Sequence, residues 1–438
     1  YEPLGLAAVA ISSSTIGAAG LVSALLLQEA HDVTLFEATE RWGGHARTLH
    51  VEHQGATVPV EVGFRYFFPG RYPALLALLA LLDLRVGRYA NQFSVRRPER
   101  MGHTIVLPPM SLRHVVNLLR RPEDVMDVLR LRRFMVAEES LVAEGDWTMS
   151  LEEYLDARGY PRAFSERFLY PMMGASWGAP AALMPEFAAY SILKVMRMVE
   201  KTTDFLVVDG GLSAYVAALV GRLGCALRLG TPVESVDRDE AGVLVRTAAG
   251  EERFDAVVLA VESWAVADLL AGSEALAAWR ARVTPFREFL STIAVHGDVR
   301  LMPEHRGDWA PVNHLHTSAG VYMTEWLGRE AGVEVFRSWI GAEDEDPSSC
   351  WLRTSYRHLV VTPESGRLQA DIAAAQGEGG VYLAGMYVTD VDNHESALMS
   401  ARHVAEALAP ESETLRRWRE MTESGAVPRG IDEPSRRP

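Results

Sequence analysis

AISSSTIGAAGLVSALLLQEAHDVTLFEATERWGGHART, residues 10–48, decides the fold of this 438-residue chain. Residues 6–11 form a short apolar run of the kind that makes a buried strand. Residues 21–27 present an uninterrupted apolar face and predict a helix, and residues 32–37 predict a second strand that ends in an acid. Strand, tight turn, helix and acid-terminated strand together make the βαβ unit that takes a dinucleotide. Its glycines let a pyrophosphate approach the helix N-terminus, where unpaired N–H groups point outward, and its acid binds ribose hydroxyls.

Two registers fit the turn. In the first, Thr15-x-Gly17-x-x-Gly20 forms the loop and lacks only its first glycine, and Glu37 follows Thr15 by 22 positions (37 − 15). In the second, Ser12-x-Ser14-x-x-Gly17 forms it, which keeps three serines out of a buried strand. Helix length and the Gly20-Leu21 pair favour the first, with Thr15, Gly17, Ala19, Gly20, Glu37 and Ala38 as cofactor contacts. In either register a residue with a Cβ stands where glycine is usual, at a cost of about 1 kcal/mol where the turn requires a positive φ. The backbone N–H groups stay available. Gly43-Gly44 follows directly, flanked by Arg41 and Arg47. Such a pair bends the chain tightly beside a bound group and brings a guanidinium within reach of phosphate.

This opening resembles the FAD-binding start of the flavin-containing amine oxidase and phytoene desaturase superfamily. Two later blocks carry the same resemblance. Asp209-Gly210-Gly211-Leu212 opens a helix, and residues 229–236 are similar to the family's strand whose valine, here Val233, meets adenine through its backbone. Residues 242–247 and 254–260 continue as the family's strand meander. Residues 380–386, then Asn393-His394-Glu395-Ser396-Ala397 and the helix 398–408, are similar to the last FAD motif, in which a helix N-terminus faces the flavin pyrimidine ring. Within the superfamily the chain resembles a bacterial subgroup through Glu61-Val62-Gly63-Phe64 with Tyr72-Pro73, through residues 170–177, and through Val295-His296-Gly297-Asp298.

The resemblance implies an α/β fold, a Rossmann-like FAD-binding domain carrying an inserted α+β substrate domain. It implies non-covalent FAD, with Arg41, Gly43, Gly44, His45, Gly63, Phe64, Val233, Gly385, Met386, His394, Glu395 and Ala397 joining the cofactor contacts. The family pattern is not kept everywhere. Met386 stands where an Asp usually bonds the ribityl chain, and residues 288–297 lack the Lys that holds water near flavin N5 in many oxidases. No cysteine lies near the last motif to link the flavin covalently.

Residues 1–75, 205–270 and 356–410 are expected to assemble the FAD domain, and 76–204 with 271–355 the substrate domain. The first insert reads as mainly helical (112–119, 125–139, 151–158, 181–199), and the apolar run 74–82 as a buried helix. Residues 411–438 read as a helix end and a loose tail. Aromatics such as Phe64, Tyr66, Tyr170, Trp177 and Trp339 suggest a closed pocket for an apolar small molecule, a secondary metabolite for instance. The reaction implied is oxidation of a C–N or C–C bond, with oxygen as a candidate acceptor. A redox-neutral isomerase or cyclase, and a binding protein on a degenerate flavin fold, are the alternatives. Arg65 and Tyr66 are catalytic candidates because they follow the Gly63-Phe64 turn that the family sets beside the isoalloxazine. Glu61 is a candidate base that support of the turn explains as well.

Composition bounds the rest. A formal charge of −15 argues against nucleic acid. Cys225 and Cys350, the only cysteines, form no zinc pattern, and His314 and His316 share a strand face without a third ligand, so no metal is expected. No apolar run reaches the roughly 20 residues of a membrane span, and no secretory pattern opens the sequence, so a cytoplasmic protein is expected. The basic segment 129–134 reads as an ordinary amphipathic face, with a weak membrane or carrier-protein contact as the alternative, and membrane contact is not the expectation. The oligomeric state stays open.

Overall fold

The computed structural model describes residues 17–96, 103–136, 139–200, 204–316 and 321–433. Thr15, the alternative serines of the turn and the first apolar run lie outside the described residues. Helix α1, Ala18–Leu27, is buried along its whole length, as a sequence of alanine, glycine, leucine and valine with a single serine allows. The strand Thr34–Phe36 that follows pairs in parallel with Ala226–Arg228, and Val257–Leu259 pairs in parallel with Val381–Leu383. Parallel pairing between such distant segments is the mark of an α/β fold. The antiparallel meander Val233–Asp239, Gly242–Thr247 and Gly250–Phe254 appears as expected.

Helix α2, Pro73–Leu81, buries nearly all of its alanines and leucines. It packs beside the long helix near the chain's end, His394–Leu408, here α5, and beside α6, Glu413–Glu423. The expected loose tail is tied down further than composition suggests. Trp418 of α6 is buried and donates from Nε1 to Ala74 O, Val86 N donates to Arg429 O, and Arg88 donates to Ile431 O.

The second half is a seven-stranded sheet. Its strands are β1 Phe93–Arg96, β2 Thr104–Leu107, β3 Glu288–His296, β4 Val312–His316, β5 Val321–Trp326, β6 Phe336–Ile340 and β7 Cys350–Leu359. The order across the sheet is β7-β3-β6-β5-β4-β1-β2, antiparallel except for β4 against β1. It draws strands from both inserts, and β7 runs past position 356, where the FAD domain was expected to resume. The first insert is therefore less purely helical than its sequence reads. Val86–Ala90 adds a further strand, paired with Asp204–Val208. These strands are short, and β4, the parallel partner of β1, and the partner of Val86–Ala90 lie far along the chain, so local pattern cannot reveal those pairings. Helix α3, Leu112–Leu119, has the expected bounds, and α4, Pro122–Met135, starts earlier because Pro122 occupies its first turn. The expected helix 181–199 breaks at Pro185 into a 3-10 turn, Ala181–Glu186, and a helix, Ala189–Glu200. No helix of the described residues is long and apolar enough to cross a membrane.

Candidate functional site

A cavity of about 470 Å³ lies where the two halves meet. Its one end is made of backbone. Gly17, Ala18 and Ala19 present the N-terminus of α1, and the loops bearing Gly43, His45, Gly63 and Phe64 form a second wall. Gly385, Met386, His394 and Ala397 form a third. Among the described residues no side chain caps α1 and its first turn holds no acid. Its leading N–H groups thus face the cavity as an anion site. At Gly17 the place of a Cβ is open space. Gly43 has φ +111°, and a Cβ there would fall 2.7 Å from Ala46 O and from Val216 Cγ2. A Cβ on Gly63 would fall 2.1 Å from His45 O, so only glycine lets these two loops lie together. At the start of α5 the His394 ring stacks on Phe64, centroids 4.7 Å apart.

Other expected contacts lie off this wall. Gly20, Gly44, Ala38 and Val233 do not line the cavity. Glu37 is fully buried at the end of its strand, and its Oε1 accepts from Thr39 N at 2.6 Å and from Thr39 Oγ1 at 2.7 Å. Arg41 donates to Gly44 O and stiffens the glycine bend. Glu395 accepts from Ala74 N and Leu75 N at 2.7 and 3.0 Å, which caps α2 rather than touching the cavity. Glu61, the candidate base, also stands off the cavity. It accepts from Thr48 Oγ1 and from Leu212 N, tying its hairpin to the helix Gly211–Val220, and burial pushes its pKa up.

The other end of the cavity is made of side chains. Met135, Met172, Met173, Met196 and Met323 line it together with Trp177 and Trp339. Thioethers adapt to varied apolar shapes. Arg65 and Tyr66 stand at the junction, the guanidinium 4.9 Å above the Tyr66 ring. Burial works against the Arg65 cation, yet Tyr66 and Glu325 outweigh it and hold its pKa above the ordinary value. Its Nη1 is buried and has no hydrogen-bond partner among the described residues. Beside it a buried pair, Arg337 and Glu325, meets at 2.6 Å. Arg337 also donates to the carbonyls of Glu61 and Gly63 at 2.5 and 2.6 Å and lies over the Trp339 ring.

Besides Glu325, three acids line the cavity that sequence reasoning missed: Glu262, Glu288 and Asp392. Burial, then Glu288 and Glu262, push Asp392 up to about 7. Burial also raises Glu288, which accepts from Ser263 Oγ. His45 approaches Glu262 at 3.8 Å, but burial and Arg41 lower its pKa to about 4, so the imidazole is neutral near pH 7 and the contact is no ion pair. Burial holds His394 at about 4, and burial with His45 holds His358 at about 3. Of the missed groups, Asp392 alone had a local signal, its place just before the last helix. Glu288 joins the site through the sheet, and Glu262 through the helix Ser263–Leu269 that it precedes. The described residues contain no cluster of acids, histidines and cysteines that fits a metal ion.

A family model for flavin containing amine oxidoreductases matches residues 18–303. The chain belongs to that family. Its members are FAD-dependent oxidoreductases, and FAD is the cofactor. A curated relative from Mycobacterium tuberculosis, provisionally named flavin-containing monoamine oxidase AofH, is 26% identical over 259 residues. That match takes in 56% of this chain, which thus spans about half (55%) of the relative's length. Solved structures share the fold at low identity. Cyclohexylamine oxidase from Brevibacterium oxydans aligns with TM-score 0.64 and 15% identity, covering 93% of this chain and 99% of its own. A fatty acid isomerase from P. acnes that produces CLA gives 0.63 and 14%, covering 93% and 98%. The uncapped N-terminus of α1, the open space at Gly17 and the glycine-only approach of Gly43 and Gly63 fit the diphosphate of an FAD. The departure at Met386 stands on the cavity wall itself, where its thioether cannot replace a carboxylate acceptor.

Proposed function

We propose that this chain oxidises a C–N or C–C bond of an apolar small molecule, with FAD held in the cavity. The observation that carries this reading is the continuity of the space, since the uncapped start of α1 and the methionine-lined chamber open on the same cavity. In this reading the N–H groups of α1 and the Gly43 bend would hold the diphosphate, and residues at the start of α5 would hold the flavin ring. FAD supplies, when bound, acceptance of a hydride from a substrate carbon. The methionine and tryptophan walls exclude water from that carbon. Arg65 Nη1 donates to an oxygen acceptor of the substrate and so selects which bond is presented. Asp392, which titrates near neutrality, holds or releases a proton at its wall. With FAD bound, loss of a hydride and a proton from the substrate would leave an imine or alkene, and oxygen, taking up two electrons and two protons, would give hydrogen peroxide.

The purified protein, loaded with FAD, should show flavin absorbance that bleaches when an apolar amine or unsaturated substrate is added without oxygen. Absence of flavin absorbance after loading would overturn the reading. A redox-neutral isomerisation is the second reading, and one observation favours it. Lys194, the only lysine among the described residues, is bound to Asp390 at 2.6 Å and to Tyr190, so it is not available as the water-holding lysine of the oxidases. Product formation without oxygen consumption would select this second reading.

A further inference from the structure

Helix α3 is built inside out. Leu112, Val115, Val116 and Leu119 recur at helical spacing, the stripe that normally faces a core. Here the stripe faces solvent, with Leu112 79% and Leu119 64% exposed, and Met110 just before the helix 63% exposed. The polar side chains point inward instead. His114 accepts at Nδ1 from Met110 N and bonds through Nε2 to Gly307 O, while Asn117 donates to Thr104 O. The helix is thus fixed in this orientation by buried hydrogen bonds. Met126, Leu129 and Val136, on or just after α4, extend the exposed apolar surface. Exposed apolar residues gathered on two packed helices in this way mark an interaction site.

Charge says what covers it. The chain as a whole carries −15. Residues 108–136 carry six arginines, Arg113, Arg120, Arg121, Arg130, Arg132 and Arg133, against one exposed acid, Glu123. Arg113 and Arg130 are paired with Asp308 and Asp127, whereas Arg120 and Arg132 are exposed and make no ion pair among the described residues. A second copy meeting this face symmetrically would set arginine against arginine. An anionic lipid surface offers both an apolar interior for the stripe and phosphates for the rim. The opposite face of α4 supplies Leu131 and Met135 to the cavity wall, so a single helix separates this surface from the substrate chamber.

We propose that α3 and α4 dock the protein on the surface of an anionic phospholipid bilayer. This takes up the alternative over the expected ordinary amphipathic face, and it is independent of the reaction proposed above, because binding can be read without turnover. The experiment is co-sedimentation of the FAD-loaded full chain with vesicles of phosphatidylcholine alone or mixed with phosphatidylglycerol. Wild type should pellet with the mixed vesicles and much less with phosphatidylcholine. Leu112→Gln with Leu119→Gln should lower the partition by about tenfold or more. Arg120→Glu with Arg132→Glu should lower it comparably while leaving the apolar stripe intact. Val299→Gln, an exposed apolar position outside the patch, should bind as wild type does. The proposal falls if wild type stays in solution with the mixed vesicles, binds both vesicles equally, or keeps its partition in both double variants. It also falls if light scattering finds a dimer that Leu112→Gln with Leu119→Gln dissolves, which would make a second copy the occupant.

Discussion

The two ends of the cavity are held by different means. At the end proposed for the flavin the wall is backbone, at Gly17, Gly43, Gly63 and Gly385 and at the starts of α1 and α5. What matters there is a missing side chain. At the substrate end the wall is side chains from distant elements, with Met172 on one helix and Met323 and Trp339 on two strands. Here a buried ion pair does the holding. The first kind of site is written in a few adjacent letters, whereas the second exists only after the sheet has formed. The ends should therefore fail differently when disturbed.

Arg337 joins them, so its loss should have the largest effect. In Arg337→Met the side chain keeps much of its apolar stem, but Glu325 is left buried without its partner, and the Glu61 and Gly63 carbonyls lose a donor. Breaking a buried pair from one side costs about 3–5 kcal/mol. Urea unfolding should show a loss of that order, and flavin retention on gel filtration should fall with it. The double variant Arg337→Met/Glu325→Leu removes the orphaned charge and should recover part of the stability. Recovery of stability without recovery of flavin would show that the carbonyl contacts, not the ion pair, serve the flavin end. A cost below about 1 kcal/mol in the single variant would break the comparison, since such values belong to exposed pairs.

A middling effect is expected from acid at His296 in the substrate-side sheet. Asp298 N donates to Nδ1 at 3.0 Å, so the proton sits on Nε2, which bonds Ser338 Oγ at 2.8 Å. Ser338 in turn bonds Thr324, and the chain of polar groups crosses β3, β6 and β5. Burial lowers the His296 pKa from 6.5 to about 4, against the opposing pull of Asp298. The folded state thus favours the neutral ring. Its stability contribution is complete above the unfolded value of 6.5 and is lost as pH falls from there toward about 4. The loss is at most about 3 kcal/mol at the acid end. His296→Gln cannot take up that proton, so its unfolding midpoint should fall less than that of wild type across the same window. Parallel pH curves for the two proteins would show that the polar chain in the sheet carries no such sensitivity.

Legibility in the sequence follows the same division. Helix α1, the meander and the start of α5 could be read because apolar periodicity and glycine spacing act within a dozen residues. Gly17 and Gly43, which line the cavity, stand out for that reason, and Gly63 and Phe64 stand out through the family resemblance. Arg337 and Glu325 were not, because nothing local distinguishes a strand arginine that will be buried from one that will be exposed. The inverted orientation of α3 was hidden in the same way. Its leucine stripe at helical spacing announces a helix but not which way the helix faces, and that is decided by where His114 and Asn117 find partners. Glu37 and Glu61 show the converse, since their positions were legible while their partners, Thr39 in one case and Leu212 with Thr48 in the other, were not.

Glu395 gives the smallest effect and the cleanest separation of the two modes of holding. Its place in the last motif suggests a flavin contact, yet its carboxylate is spent on the first N–H groups of α2, more than 300 residues earlier in the chain. Pro73 opens that helix, and Tyr72, its capping position, offers no side-chain hydrogen bond. Two of its orphan donors therefore depend on a carboxylate supplied by α5. Removing a helix cap costs about 1 kcal/mol. Glu395→Ala should lower the unfolding free energy by about that amount, with the flavin spectrum and the flavin dissociation constant unchanged, because Glu395 is absent from the cavity wall. Glu395→Gln, whose carbonyl can still accept, should restore part of the loss. A variant of normal stability that releases its flavin would reverse the assignment and return Glu395 to the cofactor. A variant that loses both together would mean that the α2 cap and the start of α5 move as one body, so that even the end built from backbone relies on a side chain reaching across the fold.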